Sequence, residues 1–235
     1  LALRENTTAD DNTAVGRDAL KLNTTGAYNI AVGYQALKAN TTGTNNIAIG
    51  YRAGDYSQTL TTGSDNTLVG PYVRTIAANT TRAIVLGYSV AGASSYTTIG
   101  DSSSDIRAQH GVATWATVSD ERYKKDIVDS TAGLSLVNAL QPRTFKYKTL
   151  GELPTTFNAY KADSTEVFKN SNTNHGFIAQ EVKAAIDADA GIKDGFRLWD
   201  DREDGSQEVA EAALIPILVK AIQELSTKND ALVAR

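Results

Sequence analysis

The sequence has no cysteine and no methionine, and it holds only two histidines, His110 and His175, in 235 residues. Without cysteine there are no disulfides, no thiol nucleophile and no thiolate zinc site. Two histidines do not make a histidine-rich metal centre, so neither metal nor cofactor is expected. No apolar run reaches the roughly 18 residues that a spanning helix needs, and no charged segment followed by a short apolar run opens the chain as a signal peptide would. Membrane insertion is therefore not expected. Basic residues number 23 against 27 acidic ones, for a formal net charge of -4 and a pI near 5.2. A general nucleic-acid binder normally carries a basic face, and this balance argues against one. A hydrophobic content of 41% suits one or two soluble domains. The first residue is Leu1 rather than methionine, and the expectation is the C-terminal part of a longer protein.

What is present divides in two between Val118 and Ser119. The first 118 residues hold 8 basic and 8 acidic side chains, the remaining 117 hold 15 and 19. Threonine plus asparagine falls from 28 to 14 across the same cut, and 12 of the 18 glycines precede it. Residues 1–118 are a repeat. Ala-Leu occurs at Ala2-Leu3, Ala19-Leu20 and Ala36-Leu37, with Ala53 continuing the step of 17, and Asn-Thr-Thr keeps that step at Asn6, Asn23 and Asn40. Asn-x-Ala-x-Gly spans Asn12 to Gly16, Asn29 to Gly33 and Asn46 to Gly50, then degenerates through Asn66 to Gly70, Ala83 to Gly87 and Tyr96 to Gly100. Each unit reads as a short strand closed by a glycine turn. Strands this short need neighbours above, below and beside them. Stacking supplies the first two; two further copies around a threefold axis would supply the third. The expected fold is an intertwined, triple β-helix-like, β-rich trimer, with a single-chain β-solenoid as the alternative. The units resemble those of phage tail fibres and of trimeric bacterial adhesin heads. Asn6, Asn23, Asn40 and Asn79 open formal Asn-x-Thr glycosylation acceptors, but three of them, Asn6, Asn23 and Asn40, share one place in the repeat, which turn chemistry explains more simply.

Residues 119–235 begin Ser119-Asp120-Glu121-Arg122-Tyr123-Lys124-Lys125-Asp126-Ile127. Further on come Leu134 to Pro142, then His175-Gly-Phe-Ile-Ala-Gln-Glu-Val182, then Leu214 to Leu225. In that order these strings resemble the intramolecular chaperone domain of endosialidase-type phage tail spikes and fibres, a self-cleaving serine peptidase module. The resemblance implies an α+β domain in which Ser119 is the nucleophile and Lys124 the general base, the bond broken being Val118 to Ser119. Asp120 and His175 are similar to family positions that support cleavage. The resemblance also implies a homotrimer, a place in the virion, and release of the chaperone in the host cytoplasm.

The residues themselves allow this chemistry under a condition. A serine hydroxyl needs a base, and lysine is the available partner here. Lys124 is five residues from Ser119, so the two can meet only if Ser119 lies in an extended or turning segment ahead of a helix. Lysine must also shed its proton, at a cost of roughly 4 kcal/mol near neutrality, which burial or nearby positive charge would lower; Arg122 and Lys125 are candidates. The competing reading is a helix cap at Ser119-Asp120 followed by a solvated lysine face. A Ser119, His110, Asp120 triad has no support in the spacing, and His175 alone reads equally as a hydrogen-bonded structural histidine.

Asp200 to Gly205, with Glu211 beyond, imitates a calcium loop, but Arg202 occupies a ligand position, and a hairpin turn at Asp204-Gly205 is expected instead. Ile215, Leu218, Ile222, Leu225, Asn229 and Leu232 alternate spacings of three and four, a heptad seam that predicts an oligomerising helix. The alternative is a helix packed on its own domain, with Pro216 in its first turn. Leu150 to Asn174 reads as an inserted loop or hairpin. The sequence thus points to a viral fibre or spike end with a folding assistant that removes itself. A permanent trimeric adhesin or fibre tip is the alternative. A host receptor or glycan is a partner the repeats could contact. A glycan-degrading enzyme would need a carboxylate pair that these repeats do not suggest.

Overall fold

The computed structural model describes residues 1–102, 104–189, 192 and 198–234. The chain divides into two compact units, Leu1–Lys125 and Asp126–Arg235, a boundary slightly beyond the composition break.

The first unit is a solenoid of about five turns. Its strands are β1 (Thr13–Val15), β2 (Ile30–Val32), β3 (Ile47–Ile49), β4 (Asp55–Tyr56), β5 (Gln58–Thr59), β6 (Thr67–Val69), β7 (Arg74–Thr75), β8 (Ile84–Tyr88), β9 (Ala91–Gly92), β10 (Tyr96–Asp101), β11 (Ser104–Gln109) and β12 (Ala116–Thr117). The principal sheet runs β1-β2-β3-β6-β8-β10-β11-β12, parallel as far as β10 and antiparallel from there. Successive parallel strands pair in register, so Ala14, Ala31, Ala48, Leu68, Val85 and Thr98 form one column. From Ala31 onward this column is buried. The positions on either side of it, which alternate to the opposite face, stand outside.

Within the single chain the strands and turns together bury a continuous core. Strand residues alone would not suffice, but the turns add to them. Ala19, Leu20, Ala36, Leu37 and Ala53 join Ala31, Ala48, Leu68 and Val85 in a single buried cluster. Leu20 and Leu37 reach it from left-handed backbone, at φ 48° and 47°, a conformation that costs a side chain about 1–2 kcal/mol and that burial of the leucine offsets. The glycine ending each unit has a separate reason. Gly33 has φ +134°, and a Cβ there would lie 2.4 Å from the Gly50 carbonyl oxygen of the next turn.

Two asparagine ladders run through the interior. Asn23 Nδ2 donates to Asn6 Oδ1 at 3.1 Å, and Asn40 Nδ2 to Asn23 Oδ1 at 2.8 Å. In the second ladder Asn29, Asn46 and Asn66 each donate backbone N–H and side-chain N–H to the asparagine one turn before, beginning at Asn12. Buried amides satisfied in this way fix the vertical register. Asn23 and Asn40 are fully buried, so their amides are ladder rungs and out of reach of a glycan. Between Asn46 and Asn66 the step lengthens from 17 to 20 residues. The extra length forms the β4–β5 hairpin, with Ser57 at φ 63° in its turn. At the position equivalent to Asn40 in the next turn the residue is Leu60, which leaves Asn40 Oδ1 without a partner among the described residues. In the hairpin the Asp55 carboxyl is pushed up by burial, against the opposing charges of Lys38 and Arg52.

Among the described residues the second unit holds three α-helices and two two-stranded antiparallel sheets: α1 (Leu134–Ala139), β13 (Arg143–Phe145), β14 (Asn174–Gly176), α2 (Ala179–Ala188), β15 (Trp199–Asp201), β16 (Gln207–Val209) and α3 (Ile215–Val233). Leu136, Leu140, Val182, Ile186, Leu198, Leu214 and Ile217 pack as its core. Arg143 holds Glu181 through two bonds of 2.9 and 2.8 Å, tying β13 to α2. Pro216 stands in the first turn of α3. Two α3 residues, Ile217 and Ala221, are buried, and Glu224 on the same face accepts the Leu134 N–H at the start of α1. Thus α3 does pack on its own unit, but through a face other than the heptad seam. The acidic stretch forms the turn between β15 and β16, with Gly205 at φ 80°. Asp204 accepts from the Ser206 N–H and hydroxyl and from the Asn158 N–H, and these bonds, led by the Ser206 hydroxyl, lower its carboxyl to about 2. Residues 150–174 are a compact loop carrying a capping box, Thr149 with Glu152, at its start.

Candidate functional site

The principal sheet ends at β12, whose Thr117 pairs with Ile106. Val118 follows with half its surface exposed, and then the chain reverses through a single 3-10 turn, Glu121–Tyr123. Asp120 caps that turn. Its Oδ1 accepts from the Arg122 backbone N–H and Nε, both at 2.9 Å, and its Oδ2 from Arg122 Nη2 at 2.7 Å. The turn closes through Tyr123 N–H to the Asp120 carbonyl at 3.1 Å and Lys124 N–H to the Glu121 carbonyl at 2.9 Å. Lys124 leaves it in extended conformation, and its Nζ donates to Ser119 Oγ at 2.8 Å.

The distance is within reach of direct proton transfer once the amine is neutral. Ser119 and Lys124 are both exposed, whereas a lysine base works in a buried or electropositive setting. Arg122 was one residue expected to lend positive charge. Its guanidinium is instead forked on Asp120, whose carboxyl is held below the usual range by that side-chain bond and then by the Arg122 N–H.

The remaining histidines have other surroundings. His110 lies 3.2 Å from the Thr97 hydroxyl. With Asp120 engaged by Arg122 and Ser119 by Lys124, the bonds of a serine, histidine and aspartate triad are not made among the described residues. His175 is exposed on β14, paired in register with Thr144. It belongs to the second unit, where it lines a cleft of about 890 Å³ together with Phe145, Tyr147, Phe157, Phe168 and Glu211.

Two apolar surfaces stand open. On the principal sheet Val15, Val32, Ile49, Val69, Leu86 and Ile99 form one outward column, and Ile30, Ile47 and Ile84 belong to the other. On α3 the seam residues Ile215, Leu218, Ile222, Leu225 and Leu232 are exposed, Ile222 at 66%, and so is Asn229.

Sequence reasoning missed the Asp120–Arg122 fork and the outward sheet columns. An Asp-x-Arg spacing at a cap was the available signal for the first, and the apolar residues on both sides of each strand's central alanine for the second.

No curated protein and no solved structure matches this chain. Residues 119–191 match the family model Peptidase S74, chaperone of endosialidase, a range that opens at Ser119 and ends before α3. Over those residues the chain carries an intramolecular-chaperone segment of the endosialidase type.

Proposed function

We propose that this chain is part of a viral tail fibre or spike, whose chaperone segment guides three chains into a trimer and then severs itself between Val118 and Ser119. The observation that carries the reading is the 2.8 Å contact of Lys124 with Ser119, immediately after the last solenoid strand, in a segment that matches a self-cleaving chaperone family.

In the proposed reaction neutral Lys124 takes the Ser119 hydroxyl proton. Oγ attacks the Val118 carbonyl carbon, the C–N bond breaks, and the Ser119 nitrogen leaves as an amine after gaining a proton. The resulting ester is hydrolysed by one water, leaving a carboxylate on Val118 and the free hydroxyl on Ser119. Each chain acts once. His175 and Asp120 are supporting residues in this reading.

The open sheet face and the open α3 seam both favour assembly of like chains. Exposed contiguous apolar surface of this kind marks an interaction site, and a seam with isoleucine at a and leucine at d is suited to helix pairing. Assembly would supply the burial that Lys124 lacks in the single chain. That exposure also favours the second reading, a permanent trimeric fibre tip or adhesin that never cuts. In either case a host receptor or glycan is the partner proposed for the repeats, and the virion the proposed location.

The test is the denatured mass of freshly made protein beside Ser119→Ala, with native mass on both. We expect two fragments meeting at Val118 and Ser119 from the wild type, and an intact trimer from the variant. If both chains stay whole and trimeric, the permanent trimeriser is correct.

A further inference from the structure

The contact between Ser119 and Lys124 needs an explanation of its own. In an extended chain, five residues span roughly 16 Å, and on a helix this spacing does not share a face. A 2.8 Å contact therefore depends on the reversal between them. That reversal is one 3-10 turn with no buried residue, so no hydrophobic packing holds it. From residue 111 to 131 every residue is exposed except Asp120. The side-chain bonds that hold the turn are the three that Asp120 accepts from Arg122. They satisfy the cap and clamp the two ends of the turn's first half.

Resting on the self-cleavage reading, we propose that Asp120 and Arg122 together are positioning residues: their fork holds the turn that brings Lys124 to Ser119, and the Asp120 carboxylate itself exchanges no proton during cleavage. Both of its oxygens are occupied by Arg122, and neither bonds to Ser119 or Lys124 among the described residues. Arg122 is needed as a fork, which lysine does not provide.

The test follows fragment appearance over time after cell-free synthesis, across a range of pH. It compares the wild type, Asp120→Asn, Arg122→Gln, Arg122→Lys, the double variant Asp120→Asn with Arg122→Gln, and Ser119→Ala as the uncut reference. An exposed forked pair contributes modestly, so each single variant is expected to cut about two- to fivefold more slowly. The double variant should be no slower than the slower single one, because the two residues act as one unit. Arg122→Lys should cut as slowly as Arg122→Gln does, and the pH midpoint of cleavage should stay at the wild-type value in Arg122→Lys and in the double variant, which keep the local net charge. Loss of cleavage in Asp120→Asn with normal cutting in Arg122→Gln would give Asp120 a chemical role and overturn the clamp. Wild-type rates in both singles, additive losses in the double, or a shifted pH midpoint in Arg122→Lys or the double would also overturn it. Native mass on each variant separates slow cutting from failed assembly. An uncut wild type would instead remove the self-cleavage reading, and the proposal with it.

Discussion

Single residues sharpen the vertical order that backbone bonds between successive turns set up. Gly33 combines positive φ with a neighbour at 2.4 Å from any added Cβ, and that neighbour is backbone, which cannot swing away. Gly33→Ala should therefore cost the repeats about 2–4 kcal/mol, combining left-handed strain with displacement of the next turn. Thermal unfolding followed by circular dichroism would show it, and an unchanged midpoint would mean that the turns can slide apart freely. The asparagines work in the opposite way. Each amide donates to the rung before it and accepts from the rung after; where the second ladder ends, the Ala83 N–H satisfies Asn66 Oδ1 instead. Asn40 shows what happens where the first ladder stops: Leu60 takes the next place and one buried oxygen is left over.

Among the elements, the repeat units were legible because spacing alone locates them: β1, β2 and β3 lie inside the Asn-x-Ala-x-Gly strings that sequence identifies. Closure of the core was not legible. Strand periodicity counts only strand residues, while Leu20 and Leu37 enter from turns in a conformation that leucine rarely adopts. The β4–β5 hairpin was equally hidden, since a three-residue lengthening of one step looks like decay of the repeat. At the candidate site the spacing of Ser119 and Lys124 set a condition, a turn between them, and the turn is there. Its fastening was missed because Arg122 reads as a charge until its geometry is known. The open surfaces give a prediction at this scale. Ile49→Lys on the sheet column and Ile222→Lys on the α3 seam alter side chains that face solvent in the single chain. Each should change the stability of its own unit by less than about 0.5 kcal/mol. In the proposed trimer each should nevertheless shift native mass toward monomer, and variants as trimeric as the wild type would show that these faces are not the interface.

For the whole molecule, a solenoid gains stability turn by turn, each unit contacting its neighbours. The chain that guides such a stack need not remain once the stack is complete. If cutting removes the folding assistant, the cleaved product and the uncut Ser119→Ala chain should differ after complete denaturation and dilution. The variant is expected to recover its trimer and the cleaved repeats to aggregate or stay unfolded, because their persistence is a matter of rate. Equal recovery by both would mean that the repeats find their fold unaided.

The position of β12 carries one more consequence. It is a two-residue strand at the end of the sheet order, and a sheet edge is a template on which another chain can grow. A cut after Val118 would put a new carboxylate one residue beyond Thr117, on that open edge. The scission that frees the assistant would then also blunt the end of the solenoid with a fixed negative charge, discouraging end-to-end stacking of finished solenoids.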